Sequence, residues 1–192
     1  MLDLSKPITK YSDALGSDPG ESSLEAFILA CREAEIIEEI VRRVKAGTDP
    51  KNSLPCIVPS GKCRPGTRNS REFDFGSHTG ILGYDLDHLS EPEKVRQVLK
   101  GELGWAGAYI TSSGSGVRAY LAVAPVPTDK PSHIRAYFQG AEYLKNIVHK
   151  VYPGIDVSTD TVCQDPGRLN FVGWDTGAWL NEDTKHLSLI HI

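Results

Sequence analysis

The sequence of 192 residues has little of what marks an exported, disulfide-bonded or membrane protein. Its four cysteines stand far apart without a CxxC pair, so neither a zinc ribbon nor a disulfide framework is indicated. No apolar run is long enough to span a bilayer, and the first thirty residues contain no apolar core of signal-peptide length. These absences predict a soluble, cytoplasmic protein with reduced thiols and no membrane partner.

An excess of basic residues is also missing. Lys and Arg number 21 against 25 Asp and Glu, which gives a net charge of −4. This balance argues against a protein held to nucleic acid by overall charge, so any such contact must be local. The length and the 40% content of hydrophobic residues fit one domain with a substantial core and a small appendage.

One segment does concentrate basic charge. Four basic residues fall between positions 59 and 71, where Gly and Pro keep the backbone out of regular structure. They are Lys62, Arg64, Arg68 and Arg71. A flexible basic loop suits phosphates, and we predict that these residues bind nucleic acid; the alternative is an ordinary solvated loop.

The stretch from Thr79 to His88 is an apolar run that ends in two carboxylates one residue apart. In a strand, alternate side chains share a face, so Asp85 and Asp87 should point together. No Lys or Arg stands beside them in sequence, and the pair should therefore repel unless a cation lies between them. A divalent-metal site is one hypothesis, and a strand end that runs into a turn is the other. His78 and His88 flank the pair outside its register, and we expect them at the surface or behind the ligands.

The order of predicted elements is β-α-β-β-α-β, the ferredoxin-like or split βαβ motif of an α+β fold. An irregular lead-in and one amphipathic helix precede it, and a short strand is expected at 54–58. The core elements are a strand at 79–86, a helix, strands at 105–112 and 117–123, a helix opened by Asp129, and a last strand at 155–156, 168–174 or both.

This topology makes a prediction about the site. The first and third strands should lie antiparallel at the sheet centre, with the fourth beside the first. Asp85 and Asp87 would then approach Arg118 and Asp156 at one edge of the sheet. The turn between the second and third strands, residues Ser113, Gly114, Ser115 and Gly116, should direct backbone N–H groups at phosphate.

Three short motifs carry a resemblance to a known family. They are Asp-Leu-Asp at 85–87, Ser-Gly-Ser-Gly-Val-Arg-Ala-Tyr at 113–120, and Ile-Asp at 155–156 with Asp-Pro-Gly-Arg-Leu-Asn at 165–170. Over about residues 53–181 the chain resembles the archaeo-eukaryotic primase superfamily, most closely the N-terminal primase-like domain of virulence-associated protein E. The resemblance implies a ferredoxin-like (RNA-recognition-motif-like) core, metal-dependent nucleotidyl transfer and association with a helicase.

The resemblance also implies roles for individual residues. Asp85 and Asp87 match the acidic pair that binds catalytic Mg²⁺ or Mn²⁺, and Asp156 matches the third carboxylate. Arg118 stands where many members have a histidine that contacts the nucleotide phosphates; Arg keeps the charge but cannot act as a titrating acid at neutral pH. Arg168 matches a further phosphate-binding residue, although an ion pair with Asp165 is an equal alternative.

Together these observations predict a DNA primase/polymerase-like nucleotidyltransferase of a mobile-element or phage replication system. Its expected partners are nucleoside triphosphates, a DNA template and primer, and a helicase as partner or fused domain. A catalytically inactive nucleotide- or nucleic-acid-binding module and a two-metal nuclease remain as alternatives.

The predicted domain organisation has three parts. Residues 1–52 form the lead-in and helix, residues 53–186 the catalytic domain, and residues 187–192 a non-native tail of a truncated chain. The tail, Leu-Ser-Leu-Ile-His-Ile, resembles a translated sequencing adapter and is expected to pack on nothing, with a genuine edge strand as the alternative.

Overall fold

The computed structural model describes residues 3–14, 19–63 and 73–188. Within these ranges the chain is an α+β protein with four α-helices and mainly antiparallel sheets, as the sequence predicts at this level. The helices are α1 (Leu24–Glu33), α2 (Glu35–Lys45), α3 (Pro92–Gly101) and α4 (Lys130–Val151). The strands are β1 (Ile8–Tyr11), β2 (Gly20–Ser22), β3 (Cys56–Val58), β4 (Lys62–Cys63), β5 (Phe73–Asp74), β6 (Ile81–Leu86), β7 (Trp105–Ile110), β8 (Val117–Ala124), β9 (Asn170–Phe171), β10 (Trp179–Leu180) and β11 (Leu187–Ser188).

The central sheet is built around β8. Both β6 and β7 pair with β8 in antiparallel register, and β10 continues the sheet beyond β7. The β6–α3–β7–β8–α4 order and the central position of β8 agree with the prediction. The register places Asp85 directly opposite Arg118.

Strand alternation creates two hydrophobic cores, one on each face of this sheet. On one face, Leu82, Tyr84 and Leu121 pack with α3 and α4. On the other face, Tyr109 and Tyr120 pack with α1, α2 and β3. Asp85 and Arg118 alternate with the first set, so they lie on the face that the N-terminal elements partly cover.

The N-terminal region departs from the prediction. The expected irregular lead-in contains β1 and β2, and β1 pairs with β3. The sequence predicts one helix here, but the structure has two, α1 and α2. They are separated at Ala34, where the backbone is extended (φ −84°, ψ 109°). The break lets both helices bury apolar faces against the same core, with Phe27 and Ile28 from α1 and Val41 from α2.

The predicted fourth strand is the main difference in the core. Residues 155–156 are not a strand, and β9 pairs with β3 in a second sheet of order β2-β1-β3-β9 instead of lying beside β6. An irregular segment takes the expected place, where the Asp160 N–H donates to the Asp85 carbonyl oxygen at 3.1 Å.

The last described residues pair with the central sheet. Leu187 and Ser188 form a parallel bridge to Val123 and Ala124, and Leu187 packs against the core. The expected absence of packing is therefore not observed at Leu187, while residues 189–192 of the expected tail lie outside the described ranges.

Candidate functional site

The two acids of the Asp-Leu-Asp motif lie in different environments. Asp85, the fifth residue of β6, is buried, whereas Asp87 follows the strand end and is exposed. Both line an inner pocket between the central sheet and β9. The residues around this pocket are Lys51, Asp85, Asp87, Thr111, Ser112, Arg118, Phe171 and Val172.

Arg118 neutralises Asp85, which corrects the expectation that the acids repel without a cation. Its Nη2 donates to Asp85 Oδ2 at 2.6 Å, and the two side chains are only 6% and 12% exposed. Burial raises the pKa of the Asp85 carboxyl, and the Arg118 guanidinium opposes that shift. The positive charge that neutralises Asp85 is not near it in the sequence, because Arg118 comes from the neighbouring strand β8.

The second oxygen of Asp85 is left without a protein partner. Asp85 Oδ1 is buried and accepts no hydrogen bond from the described residues, and Arg118 Nε is likewise unpaired. Buried polar atoms are normally satisfied, so this oxygen leaves a position for a water molecule or an ion in the inner pocket that Asp85 lines. Arg118 itself is enclosed, and its guanidinium contacts both Asp85 Oδ2 and Cys163 Sγ.

An open acidic cleft adjoins the inner pocket, and Asp87 lines both. The cleft has a volume of about 310 Å³. Its lining residues are Asp87, His88, Asp156, Ser158, Thr159 and Asp160. The predicted third carboxylate, Asp156, is therefore brought to the same cleft as Asp87.

Asp160, which we did not predict as a site residue from the sequence, lies beside Asp85. Ligand atoms of Asp85, Asp160 and Cys163 fall within 4.8 Å of one another, the only group of this kind among the described residues. Asp160 caps the short 3₁₀ helix Thr161–Gln164 by accepting a hydrogen bond from the Val162 N–H. A weak signal existed in the sequence, since Asp160 ends the same irregular segment that Asp156 begins.

His88 has an unusual backbone conformation. It directly follows Asp87 with φ at 57°, in the left-handed region that non-glycine residues seldom occupy, and its side chain lines the acidic cleft. Such conformations concentrate at functional sites. The expectation that His88 is a surface residue holds, but it faces the site.

His78 lies at the other end of β6. It is buried and pairs with His133 of α4, with 3.0 Å between Nε2 and Nδ1. Burial lowers the pKa of His78 to about 3 and that of His133 to about 4. His78 is therefore a neutral structural residue and takes no part in the acidic cleft.

The turn between β7 and β8 lies beside the acids. Ser113, Gly114 and Ser115 are exposed, and Gly116 is buried. A Cβ atom on Gly116 would lie 2.8 Å from the Leu86 carbonyl oxygen and 3.1 Å from Asp87 Oδ1, so glycine is required for this close approach. The turn residues predicted to bind phosphate are thus adjacent to Asp87.

The predicted basic residues separate into two places. Arg168 lies near the cleft, with 4.0 Å between its Nη2 and Asp160 Oδ2, so its ion-pair partner is Asp160 and not Asp165, the alternative that the sequence left open. Lys62 pairs with Glu21 at 2.6 Å and lines a different cavity together with His78. Arg64, Arg68 and Arg71 lie outside the described residues.

Lys51 is a further basic residue that the sequence did not single out. It lines the inner pocket, and its Nζ lies 5.9 Å from the centre of the Phe171 ring. Nothing in the local sequence pattern distinguishes it from other solvated lysines, because its position depends on the packing of the second sheet against the first.

None of the helices in the described ranges combines the length and the apolar character that crossing a bilayer requires.

Comparison with known proteins gives a distant relative and a family. The chain is 26% identical over 139 residues to a protein named methionyl-tRNA formyltransferase from Geobacter metallireducens. That match covers 70% of this chain but 39% of the relative, so the chain spans less than half of that protein's length. No solved structure matches the chain. The family model described as BT4734-like, N-terminal domain, matches residues 49–179, which include all the residues of the inner pocket and the acidic cleft. This match extends over more than half of the sequence, and the chain therefore belongs to the BT4734-like N-terminal domain family.

Proposed function

We propose that the chain is a metal-dependent nucleotidyltransferase of the DNA primase/polymerase kind, with a ferredoxin-like core of the primase-superfamily type. The observation that carries the proposal is the convergence of Asp87, Asp156 and Asp160 on one open cleft, next to the unpaired oxygen of Asp85. The biological setting proposed is replication of a mobile element or phage in the cytoplasm, with a helicase as partner.

The residues present fit Mg²⁺ or Mn²⁺. Hard divalent cations prefer carboxylate oxygens, and this part of the chain offers four carboxylates from β6, from the residue after it and from the segment 156–160. Asp85, Asp87, Asp156 and Asp160 would hold the ions. Bound ions would supply charge stabilisation to a 3′-hydroxyl attacking a triphosphate.

The chain's own cations have distinct roles in this proposal. Arg168 is 39% exposed beside Asp160 and is available to the phosphates of a nucleotide in the cleft, and the exposed Lys51 offers a second positive charge at the rim of the inner pocket. Arg118 is too enclosed for that role and instead holds Asp85 in place. The exposed turn at Ser113–Ser115 offers further contacts to phosphate next to Asp87.

The test is incorporation of labelled nucleotides with Mg²⁺ or Mn²⁺, with and without a primer, on DNA and RNA strands. The RNA arm includes tRNA because the name of the Geobacter relative specifies it. We expect metal-dependent incorporation that Asp87→Asn and Asp156→Asn abolish. Asp183→Asn, which removes an exposed carboxylate outside the cleft, is the matched control and should retain activity. Absence of incorporation under every condition would overturn the proposal.

A binding module without chemistry is the second candidate, and one observation favours it. The ion pair with Arg118 already occupies one oxygen of Asp85, so this carboxylate has only one oxygen left for a catalytic metal ion. Such a module would bind triphosphate or nucleic acid, and the wild-type protein would incorporate no nucleotide. Cleavage of the strand in the same assay would instead identify a two-metal nuclease.

A further inference from the structure

Cys163 is buried, and its sulfur accepts a hydrogen bond from Arg118 Nη1 at 3.7 Å. It belongs to the 3₁₀ helix that Asp160 caps, and the Cys163 N–H donates to the Asp160 carbonyl oxygen at 3.0 Å. One helical turn therefore carries both an oxygen and a sulfur ligand toward β6. Their ligand atoms and that of Asp85 lie within 4.8 Å of one another.

This arrangement is fixed from two directions. The Asp160 N–H donates to the Asp85 carbonyl oxygen at 3.1 Å, and the Tyr137 hydroxyl of α4 donates to the Asp160 carbonyl oxygen at 2.8 Å. The three ligand groups are consequently brought together by backbone contacts as well as by their side chains. Preorganisation of this kind reduces the cost of assembling a site on binding.

An independent observation indicates a ligand at this point. Asp85 is only 8% exposed, and its Oδ1 has no hydrogen-bond partner among the described residues, although Arg118 satisfies Oδ2. An unsatisfied buried carboxylate oxygen is costly. A cation held by the Asp85 carboxylate, Asp160 and the Cys163 sulfur would give this oxygen a partner if it is bound through Oδ1.

We propose that Cys163 is a metal ligand, and that Asp85, Asp160 and Cys163 form an inner cation position that selects a thiophilic divalent ion such as Zn²⁺ over Mg²⁺. The inference rests on the proposed function only in placing a metal site at these acids. Thiolate favours Zn²⁺ and similar ions, whereas the carboxylates Asp87 and Asp156 in the outer cleft suit Mg²⁺. Binding forms the metal–sulfur bond as the thiol proton passes to solvent.

Co²⁺ and Cd²⁺ added to the purified, metal-free chain are the probes. We expect Co²⁺ to give a sulfur-to-metal charge-transfer absorption band that is absent in Cys163→Ser. Cd²⁺ affinity, measured by calorimetry, should fall by about tenfold or more in that variant. Removing a residue that only supports a metal ligand typically costs about that much, and removing a ligand itself should cost at least as much. Mg²⁺ affinity should stay unchanged. Cys63→Ser, at another buried cysteine in β4, is the matched control and should keep the band.

Asp160→Asn is a second variant at a partly exposed position, and it should also weaken Cd²⁺ binding if Cys163→Ser fails to fold. A chain without the band, a band that survives Cys163→Ser, or equal Cd²⁺ affinity in parent and folded variants would overturn the inference. None of these measurements uses catalysis. Nucleotide incorporation without the band would overturn this inference alone, and the band without incorporation would overturn the proposed function alone.

Discussion

Asp85 and Arg118 face each other across two strands with almost no access to water. Removing one partner of a buried ion pair leaves an uncompensated charge, which typically costs about 3–5 kcal/mol. We therefore expect Arg118→Ala to lower the free energy of unfolding by about that amount. Urea denaturation at neutral pH without added metal measures it.

The double variant tests the reason for that loss. Asp85→Ala with Arg118→Ala leaves no unpaired charge, and its loss of stability should be clearly smaller than the sum of the two single losses. Additive losses would mean that each side chain contributes through packing alone and would contradict the ion-pair account.

At the scale of residues, the sequence could predict contacts that follow from strand periodicity. Alternation places Asp85 and Asp87 on one face, and antiparallel pairing brings Arg118 to Asp85. It could not identify Asp160 or Cys163 as neighbours of Asp85. Asp160 ends an irregular stretch and Cys163 lies in a single short 3₁₀ turn, and neither is long enough to show a period, so only the folded backbone determines which side chains turn toward the sheet.

The junction between the start of β6 and the start of α4 depends on a neutral histidine pair. The Gly80 N–H donates to His78 Nδ1, so the neutral His78 ring carries its proton on Nε2 and donates to His133. Burial lowers both pKa values, to about 3 and about 4, from about 6.5 in the unfolded chain. For His133, Asp165 opposes this shift and Lys130 adds to it.

The sign of the resulting pH dependence follows from those directions. Below about pH 6.5 the two histidines bind protons in the unfolded chain but stay neutral in the folded protein. The contribution of the pair to the free energy of unfolding is therefore complete above that pH and declines toward pH 4. We expect His133→Asn, whose side-chain oxygen can still accept from His78, to flatten the fall in unfolding free energy between pH 7 and pH 5. An identical pH profile in parent and variant would exclude the pair as its source.

The contact of α4 with the sheet depends on a glycine. A Cβ atom on Gly140 would overlap the Tyr84 hydroxyl and approach Leu121 Cδ2 to 2.7 Å. We expect Gly140→Ala to destabilise the fold by about 1–3 kcal/mol, as overpacking does. Gly101→Ala, at the end of α3 with nothing within 4 Å of the added methyl, should be neutral or slightly stabilising. Equal thermal midpoints for the two variants would contradict the close packing.

At the scale of elements, local pattern and long-range pairing differ in how far they could be predicted. Residues 79–86, 105–112 and 117–123 carry enough alternation to predict β6, β7 and β8. The fourth strand was misplaced because two residues of β9 can pair with any free edge. The β3 edge was available only because the supposed irregular lead-in forms β1 and supports β3 in a second sheet.

At the scale of the whole molecule, metal binding should appear as added stability. A ligand that binds the folded state alone at about a hundred times its Kd adds about 2.7 kcal/mol. For a chain of this size that corresponds to a rise in Tm of roughly 5–10 °C. We expect Mn²⁺ to raise the Tm of the parent and to leave the Asp87→Asn, Asp156→Asn double variant nearly unchanged. Calorimetric scans decide it, and an equal rise in both proteins would place the ion elsewhere.

The segment from Ile155 to Asp165 approaches β6 through isolated hydrogen bonds instead of a strand ladder. Its amides should therefore exchange with deuterium sooner than those in the middle of β6 and β8, through an opening that leaves the central sheet intact. Three proposed cation ligands, Asp156, Asp160 and Cys163, would move away from the sheet together in that opening. Loss of cation capture at mild denaturant, well before the sheet melts, would thus be a built-in property of the domain.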